Sequence, residues 1–205
     1  MSCWALVPVK VRAEGKSRLA PVLDPPERIE LVRALLAHVL GVLSAASGID
    51  HVAIVSPERD VVPSSIHLLP EQGRGLNQVL GHAVATLTRL GAHEVLVLPG
   101  DLPLVCTDDV AMLLARMRAG GCALASDRQG TGTNAIALDL RRLGPTGFRF
   151  LFGGNSFARH VRQARALGLV PQIARTPGLG FDLDEPQALG AFETVHRPDA
   201  MRQAS

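Results

Sequence analysis

Glu94-Val95-Leu96-Val97-Leu98-Pro99-Gly100-Asp101-Leu102-Pro103 reads as a short strand that stops at a proline–glycine pair and then presents an aspartate. Four consecutive large aliphatic residues leave no polar face, which is the pattern of a strand covered on both sides in a parallel sheet. Open α/β sheets bind ligands beyond the carboxyl ends of their strands. Asp101 stands at such a position, although a lone loop aspartate is as often structural.

Working outward, Trp4 to Val9 is a second unbroken apolar run, followed by a polar loop from Lys10 to Arg18. Pro25-Pro26 open a long amphipathic helix to about Ala46, with Leu31, Leu35, Leu36, Val39, Leu40 and Leu43 at three- and four-residue spacing. His51 to Val55 and Ser65 to Leu69 read as strands, and Leu76 to Leu90 as a helix stopped by Gly91. Thr107 can cap a helix running to about Ala119. Short strands are expected at Cys122 to Ala125 and Ala135 to Leu138, then a helix over Phe157 to Leu167. Gly178 to Asp184 reads as extended and Glu185 to Val195 as a last helix. Alternating strands and helices imply an α/β fold with a largely parallel sheet covered on both faces. One domain over residues 1–196 is expected, with 197–205 a disordered tail.

Composition narrows the function classes. The 205 residues carry a net charge of +2, with 47% hydrophobic and 20% charged residues. The basic residues are dispersed, unlike the dense basic face of a nucleic-acid binder. Cys3, Cys106 and Cys122 form no Cys-x-x-Cys pair, so neither a disulfide framework nor a zinc site is expected. No apolar stretch reaches the ~20 residues of a membrane span, and the first residues lack the basic start and cleavage site of a signal peptide. A cytoplasmic location follows as an expectation.

Three loops carry chemistry. Gly15-Lys16-Ser17 resembles the end of a Walker A loop, but that motif needs glycine where Lys10 stands. What remains is a strand-end loop with Lys10, Arg12, Lys16 and Arg18 beside a glycine, suited to a polyphosphate. Gly130-Thr131-Gly132-Thr133-Asn134-Ala135 formally fits a dinucleotide fingerprint, yet it precedes a strand where the fingerprint needs a helix. A Gly–Thr turn whose amides and hydroxyls cup an anion fits it better. Phe152-Gly153-Gly154-Asn155-Ser156-Phe157 leads into the helix carrying His160; free amides there with Ser156 could bind a phosphate or carboxylate. A lone histidine on an amphipathic helix is more often structural, so His160 receives no chemistry.

In Asp182-Leu183-Asp184, residues i and i+2 of an extended segment project to one face. Two converging carboxylates need a cation between them, and Mg²⁺ suits carboxylate and phosphate oxygens together. Asp184 could equally cap the last helix, with Glu185 and Pro186 behind it.

In order along the chain, Trp4-Ala5-Leu6-Val7-Pro8-Val9-Lys10, Lys16-Ser17-Arg18-Leu19-Ala20, Gly75-Leu76-Asn77 and Gly100-Asp101-Leu102-Pro103 resemble one family. Asp127-Arg128 with Gly130 to Ala135, Phe152-Gly153 with Ser156-Phe157 and His160, and Asp182-Leu183-Asp184 continue the match. That family is the guanylyltransferases of deazaflavin coenzyme F-420 biosynthesis, the CofC/FbiD group. The resemblance implies a Rossmann-like nucleotidyltransferase (GT-A-like) fold, GTP as donor, Mg²⁺, and a small phospho-acid acceptor: 2-phospho-L-lactate, phosphoenolpyruvate or 3-phospho-D-glycerate. It implies metal binding by Asp101, Asp182 and Asp184, and acceptor binding by Thr133, Gly153 and Ser156. Lys16 and Arg18 would hold the triphosphate together with Lys10. Gly73, Gly75 and Asn77 would meet base and ribose. Lys16, Arg18 and Asp101 would carry the transfer itself. Nucleic-acid and membrane partners are not expected, and oligomeric state stays open. The rival readings are another nucleotidyltransferase of this fold with a different nucleotide or acceptor, a non-catalytic nucleotide-binding module, and a nicotinamide-dependent oxidoreductase.

Overall fold

A computed structural model of the chain describes residues 2–9, 17–57, 63, 65–144 and 147–183. Among them, seven strands form one sheet: β1 (Cys3–Pro8), β2 (His51–Val55), β3 (His67–Leu69), β4 (Glu94–Val97), β5 (Gly121–Ser126), β6 (Thr133–Asp139) and β7 (Val170–Ala174). Their order is β3-β2-β1-β4-β6-β5-β7. β6 alone runs antiparallel, pairing with β4 on one side and β5 on the other. The carboxyl ends of six strands therefore share one edge with the amino end of β6. The expected helix over 185–195, the tail 197–205, Lys10, Lys16 and Asp184 lie outside the described residues.

Strand alternation sorts the core into two layers. Ala5, Val7, Leu96, Leu98, Ala123, Ala125, Ala135 and Ala137 pack with α1 (Pro25–Ala45) and α3 (Thr107–Gly120). Trp4, Leu6, Val95, Val97, Leu124, Ile136 and Leu138 pack with α2 (Gly75–Arg89) and α4 (Ser156–Ala166). A third, small cluster joins Leu19, Leu31, Leu35 and Leu183. α1 starts as its prolines indicate, and Asp24 and Glu27 close a reciprocal cap, each carboxylate accepting the other residue's backbone N–H. No helix among the described residues is long and apolar enough to cross a membrane.

Three expectations need correction. The cap of α3 is Cys106, whose N–H donates to Asp109 Oδ2 at 3.0 Å; Thr107 is the first helical residue. Gly178 to Asp184 is not extended throughout, because Pro177–Gly180 forms a helical turn capped by Thr176 Oγ1, which accepts Leu179 N–H at 3.1 Å. β7 was not expected at all. Its sequence, Val170-Pro171-Gln172-Ile173-Ala174, has no apolar run, and Pro171 is tolerated because β7 is an edge strand paired only with β5.

Glu94 opens β4 at the edge of the sheet remote from the candidate site, and it is 1% exposed. It accepts three hydrogen bonds from Arg118, the shortest 2.8 Å, and Arg141 Nη2 lies 3.8 Å away. Both arginines are half exposed, so removing the carboxylate leaves them solvated. Glu94→Gln is expected to cost about 2 kcal/mol and roughly 4–8 °C in Tm. Turnover at permissive temperature should be unchanged; thermal melts beside initial rates check both.

Candidate active site

Leu183 organises the acidic part of the site. Its side chain is fully buried against Leu19, Leu31 and Leu35, and its N–H donates to the Asp101 carbonyl at 3.3 Å. Burying Leu183 sets its neighbour Asp182 beside the Asp101 loop. Burying Leu19 in the same cluster seats the Ser17–Leu19 turn next to that segment, with Arg18 exposed on it. The segments that carry Arg18, Asp101 and Asp182 are thus joined through Leu19 and Leu183.

The Gly–Thr turn behaves differently from expectation. It joins antiparallel β5 and β6, and the anion it cups is the chain's own Asp127. Thr131 N–H donates to Asp127 Oδ1 at 2.9 Å and Gly132 N–H to Oδ2 at 2.7 Å, with the Thr131 hydroxyl 3.3 Å from Oδ2. An aspartate four residues before a Thr–Gly pair is the signal the sequence offers. Beyond the turn, Ala125 pairs with Ala135 but Ser126 with Thr133, which makes Asn134 the extra residue of a β-bulge. Strict alternation from Leu138 and Ile136 would send Asn134 toward α4. The bulge reverses this: Thr133 Oγ1 meets His160 Nδ1 of α4 at 3.0 Å, while Asn134 Nδ2 donates to the Leu179 carbonyl on the α3 side at 3.0 Å.

His160 has no solvent exposure. Its Nε2 accepts the Leu151 N–H at 2.7 Å, which leaves the ring proton on Nδ1 to donate to Thr133. The ring stacks on Phe148 and meets Phe152 edge-on, with centroids 5.7 and 5.1 Å away. Burial, helped by the charge of Arg159, pushes its pKa down to about 4. His160 is a structural clamp.

That clamp ties Thr133 to the segment leading into α4. Gly153 takes φ +118°, open to glycine, and Asn155 takes φ +54°. The Phe157 N–H donates to the Thr131 carbonyl at 3.1 Å and the Ser156 N–H to the Gly153 carbonyl at 3.1 Å, so two of the amides expected to be free are used internally. Ser156 is buried. These bonds tie the strand carrying Thr133 and the turn carrying Gly153 to the start of α4, where Ser156 stands.

Asn77, near the start of α2, pairs with the Phe152 backbone through both ends of its amide, at 2.7 and 3.2 Å. It fixes the Phe152–Gly153 segment rather than offering its amide to a base. Gly73 sits in the loop before α2, and Gly75 is the first residue of that helix. Gly73 takes φ +100°, and a Cβ there would lie 2.8 Å from Gln78 Cβ. Ser56, Pro57, Leu68, Pro70, Glu71 and Gly73 line a cavity of about 460 Å³ beyond β2 and β3. On the opposite flank, beyond β5 and β7, a cavity of about 640 Å³ lies between Leu104, Phe181, Arg128 and Arg175. The sequence singles out neither Glu71 nor Arg175: Glu71 stands two residues beyond β3, and Arg175 follows β7, a strand without an apolar run.

This sheet order, with the site across its carboxyl edge, is a nucleotidyltransferase fold. A nucleotide-diphospho-sugar transferase structure from Desulfovibrio desulfuricans superimposes with a TM-score of 0.79 at 20% identity, covering 100% of this chain and 92% of that one. 4-Diphosphocytidyl-2C-methyl-D-erythritol synthase superimposes with a TM-score of 0.64 at 16% identity, covering 95% and 98%. Residues 3–200 match the family model described as "Guanylyl transferase CofC like", and the chain belongs to that family of guanylyl-transferring enzymes. A phosphoenolpyruvate guanylyltransferase of Sphaerobacter thermophilus is 41% identical over 92% of this chain and 91% of its own. A 2-phospho-L-lactate guanylyltransferase of Methanothermobacter thermautotrophicus is 31% identical over 99% and 91%.

Proposed function

We propose that the chain transfers GMP from GTP to a small phosphorylated carboxylic acid, releasing pyrophosphate, as a step of coenzyme F-420 biosynthesis. Phosphoenolpyruvate is the acceptor to try first, since relatives of up to 41% identity bear its name; 2-phospho-L-lactate and 3-phospho-D-glycerate follow. The observation that supports the reading is the joining of the segments that carry Arg18, Asp101 and Asp182 through Leu19 and Leu183.

An acceptor phosphate oxygen attacks the α-phosphorus of GTP. One P–O bond forms, the bond to the β-phosphate bridge breaks, and pyrophosphate departs with that electron pair. The nucleophile is already an anion at neutral pH, so no general base is required, in keeping with His160 being consumed structurally. What remains for the protein is alignment and charge compensation. Arg18, with Lys10 and Lys16, neutralises the departing pyrophosphate. Because His160 donates to Thr133 Oγ1, the Thr133 hydroxyl proton is left to point at an acceptor anion; Gly153 and Ser156 complete that subsite. Gly73 and Gly75 shape the nucleotide loop, and Asn77 ties the start of α2 to Phe152. Arg128 and Arg175 at the 640 Å³ cavity attract an acidic substrate from solution.

The carboxylates of Asp101 and Asp182, carried on backbone joined by the Leu183–Asp101 hydrogen bond, are hard oxygen donors suited to Mg²⁺, with Asp184 as a third. Mg²⁺ there would supply positive charge between the two anionic substrates.

Pyrophosphate release from GTP and Mg²⁺ is expected with at least one of the three acids and not with GTP alone. Chelation should stop it and added Mg²⁺ restore it. Silence with all three acids would overturn the acceptor class.

A further inference from the structure

We propose that Glu71 is the residue that selects guanine. This rests on GTP being the donor, and it names the group that reads the base.

β1 lies in the sheet between β2 and β4. A nucleotide lying across the carboxyl edge with its phosphates beside Arg18 and Asp101 places its base over β2 and β3, away from Thr133 and Ser156. The cavity of about 460 Å³ stands there, and among the described residues that line it Glu71 is the charged one. Pro57, Leu68 and Pro70 give apolar walls for a flat ring. Glu71 is half buried, so a hydrogen bond to its carboxylate is less diluted by water than one at the surface.

The chemistry separates the bases. Guanine presents two adjacent donors, N1–H and the exocyclic N2–H₂, which match the two oxygens of one carboxylate. Adenine and cytosine present a ring-nitrogen acceptor beside their amino group, and uracil flanks its single N–H with two carbonyls; each sets an acceptor against Glu71. Removing the 2-amino group of guanine costs one charge-assisted bond, about a 10- to 100-fold preference.

The test compares kcat/KM for GTP and inosine triphosphate, which lacks that amino group, in the wild type, Glu71→Gln and Glu71→Asp. The wild type should favour GTP by about 10- to 100-fold. Glu71→Gln should narrow the ratio to about threefold or less and improve xanthosine triphosphate relative to GTP, because the amide can donate to the 2-oxo group. Glu71→Asp should keep the order of preference. A Glu71→Gln variant with the wild-type ratio overturns the assignment. Where a variant binds but does not turn over, the ratio of the two dissociation constants by calorimetry decides in the same way. Loss of the proposed reaction is distinguishable: a wild type inactive with every acid but preferring GTP to inosine triphosphate in binding refutes the acceptor and keeps Glu71.

Discussion

Asp101→Asn and Asp182→Asn should each lower guanylyl transfer at least ~1000-fold, about 4 kcal/mol of transition-state stabilisation, without unfolding the chain. Asparagine keeps the shape and one acceptor oxygen but loses the charge that concentrates a divalent ion between two anions. Neither side chain is part of the buried core, and the contact that joins their segments uses the Leu183 N–H and the Asp101 carbonyl, backbone groups both. Melting temperatures should therefore stay close to wild type while kcat collapses. The double variant should be little worse than either single one, because on the proposed metal site the two would be ligands of one ion and act as a unit. Near-full activity in either single variant would refute the metal assignment.

His160→Ala should destabilise the fold by about 3–5 kcal/mol, from the cavity and the two abandoned hydrogen-bonding groups of Leu151 and Thr133. The same burial should make the wild type sensitive to acid. The native pKa of about 4 lies below the ordinary 6.5. Above pH 6.5 the ring is neutral in both states and its contribution is complete. As pH falls from 6.5 toward 4, the unfolded chain takes up a proton that the native ring refuses, and about 3 kcal/mol is lost. Below about 4 both states are protonated and the loss stops. Denaturant midpoints between pH 7 and 4 should show this slope in the wild type and lose most of it in His160→Gln, whose amide oxygen can still accept the Leu151 N–H. A variant curve parallel to wild type would sink the explanation.

What could be read from the sequence depended on how local the cause was. The central strands β1 and β4 are unbroken apolar runs because both faces are covered, and that signal is complete within five residues. The Asp182–Asp184 spacing is equally local. The role of Leu183 is not: it exists only because Leu19, Leu31 and Leu35 fold onto it from the other end of the chain. Asn77 shows the same limit, since its amide is matched by Phe152, a partner no local pattern indicates. β7 was hidden because an edge strand needs little apolar surface and tolerates Pro171. The bulge at Asn134 left no trace in periodicity, yet it decides which of Thr133 and Asn134 faces α4. The Gly–Thr turn reads as a cup for a ligand anion, whereas its amides hold the chain's own Asp127, which composition could not say.

The most direct test is to incubate the purified chain with GTP, Mg²⁺ and phosphoenolpyruvate, 2-phospho-L-lactate or 3-phospho-D-glycerate in turn, and to follow the products by ³¹P NMR. The account predicts one pyrophosphate per turnover together with a new pair of coupled diphosphate resonances, from GMP joined to the acid through its phosphate. Pyrophosphate accompanied by free GMP, or GTP bound but unchanged with every acid, would contradict it.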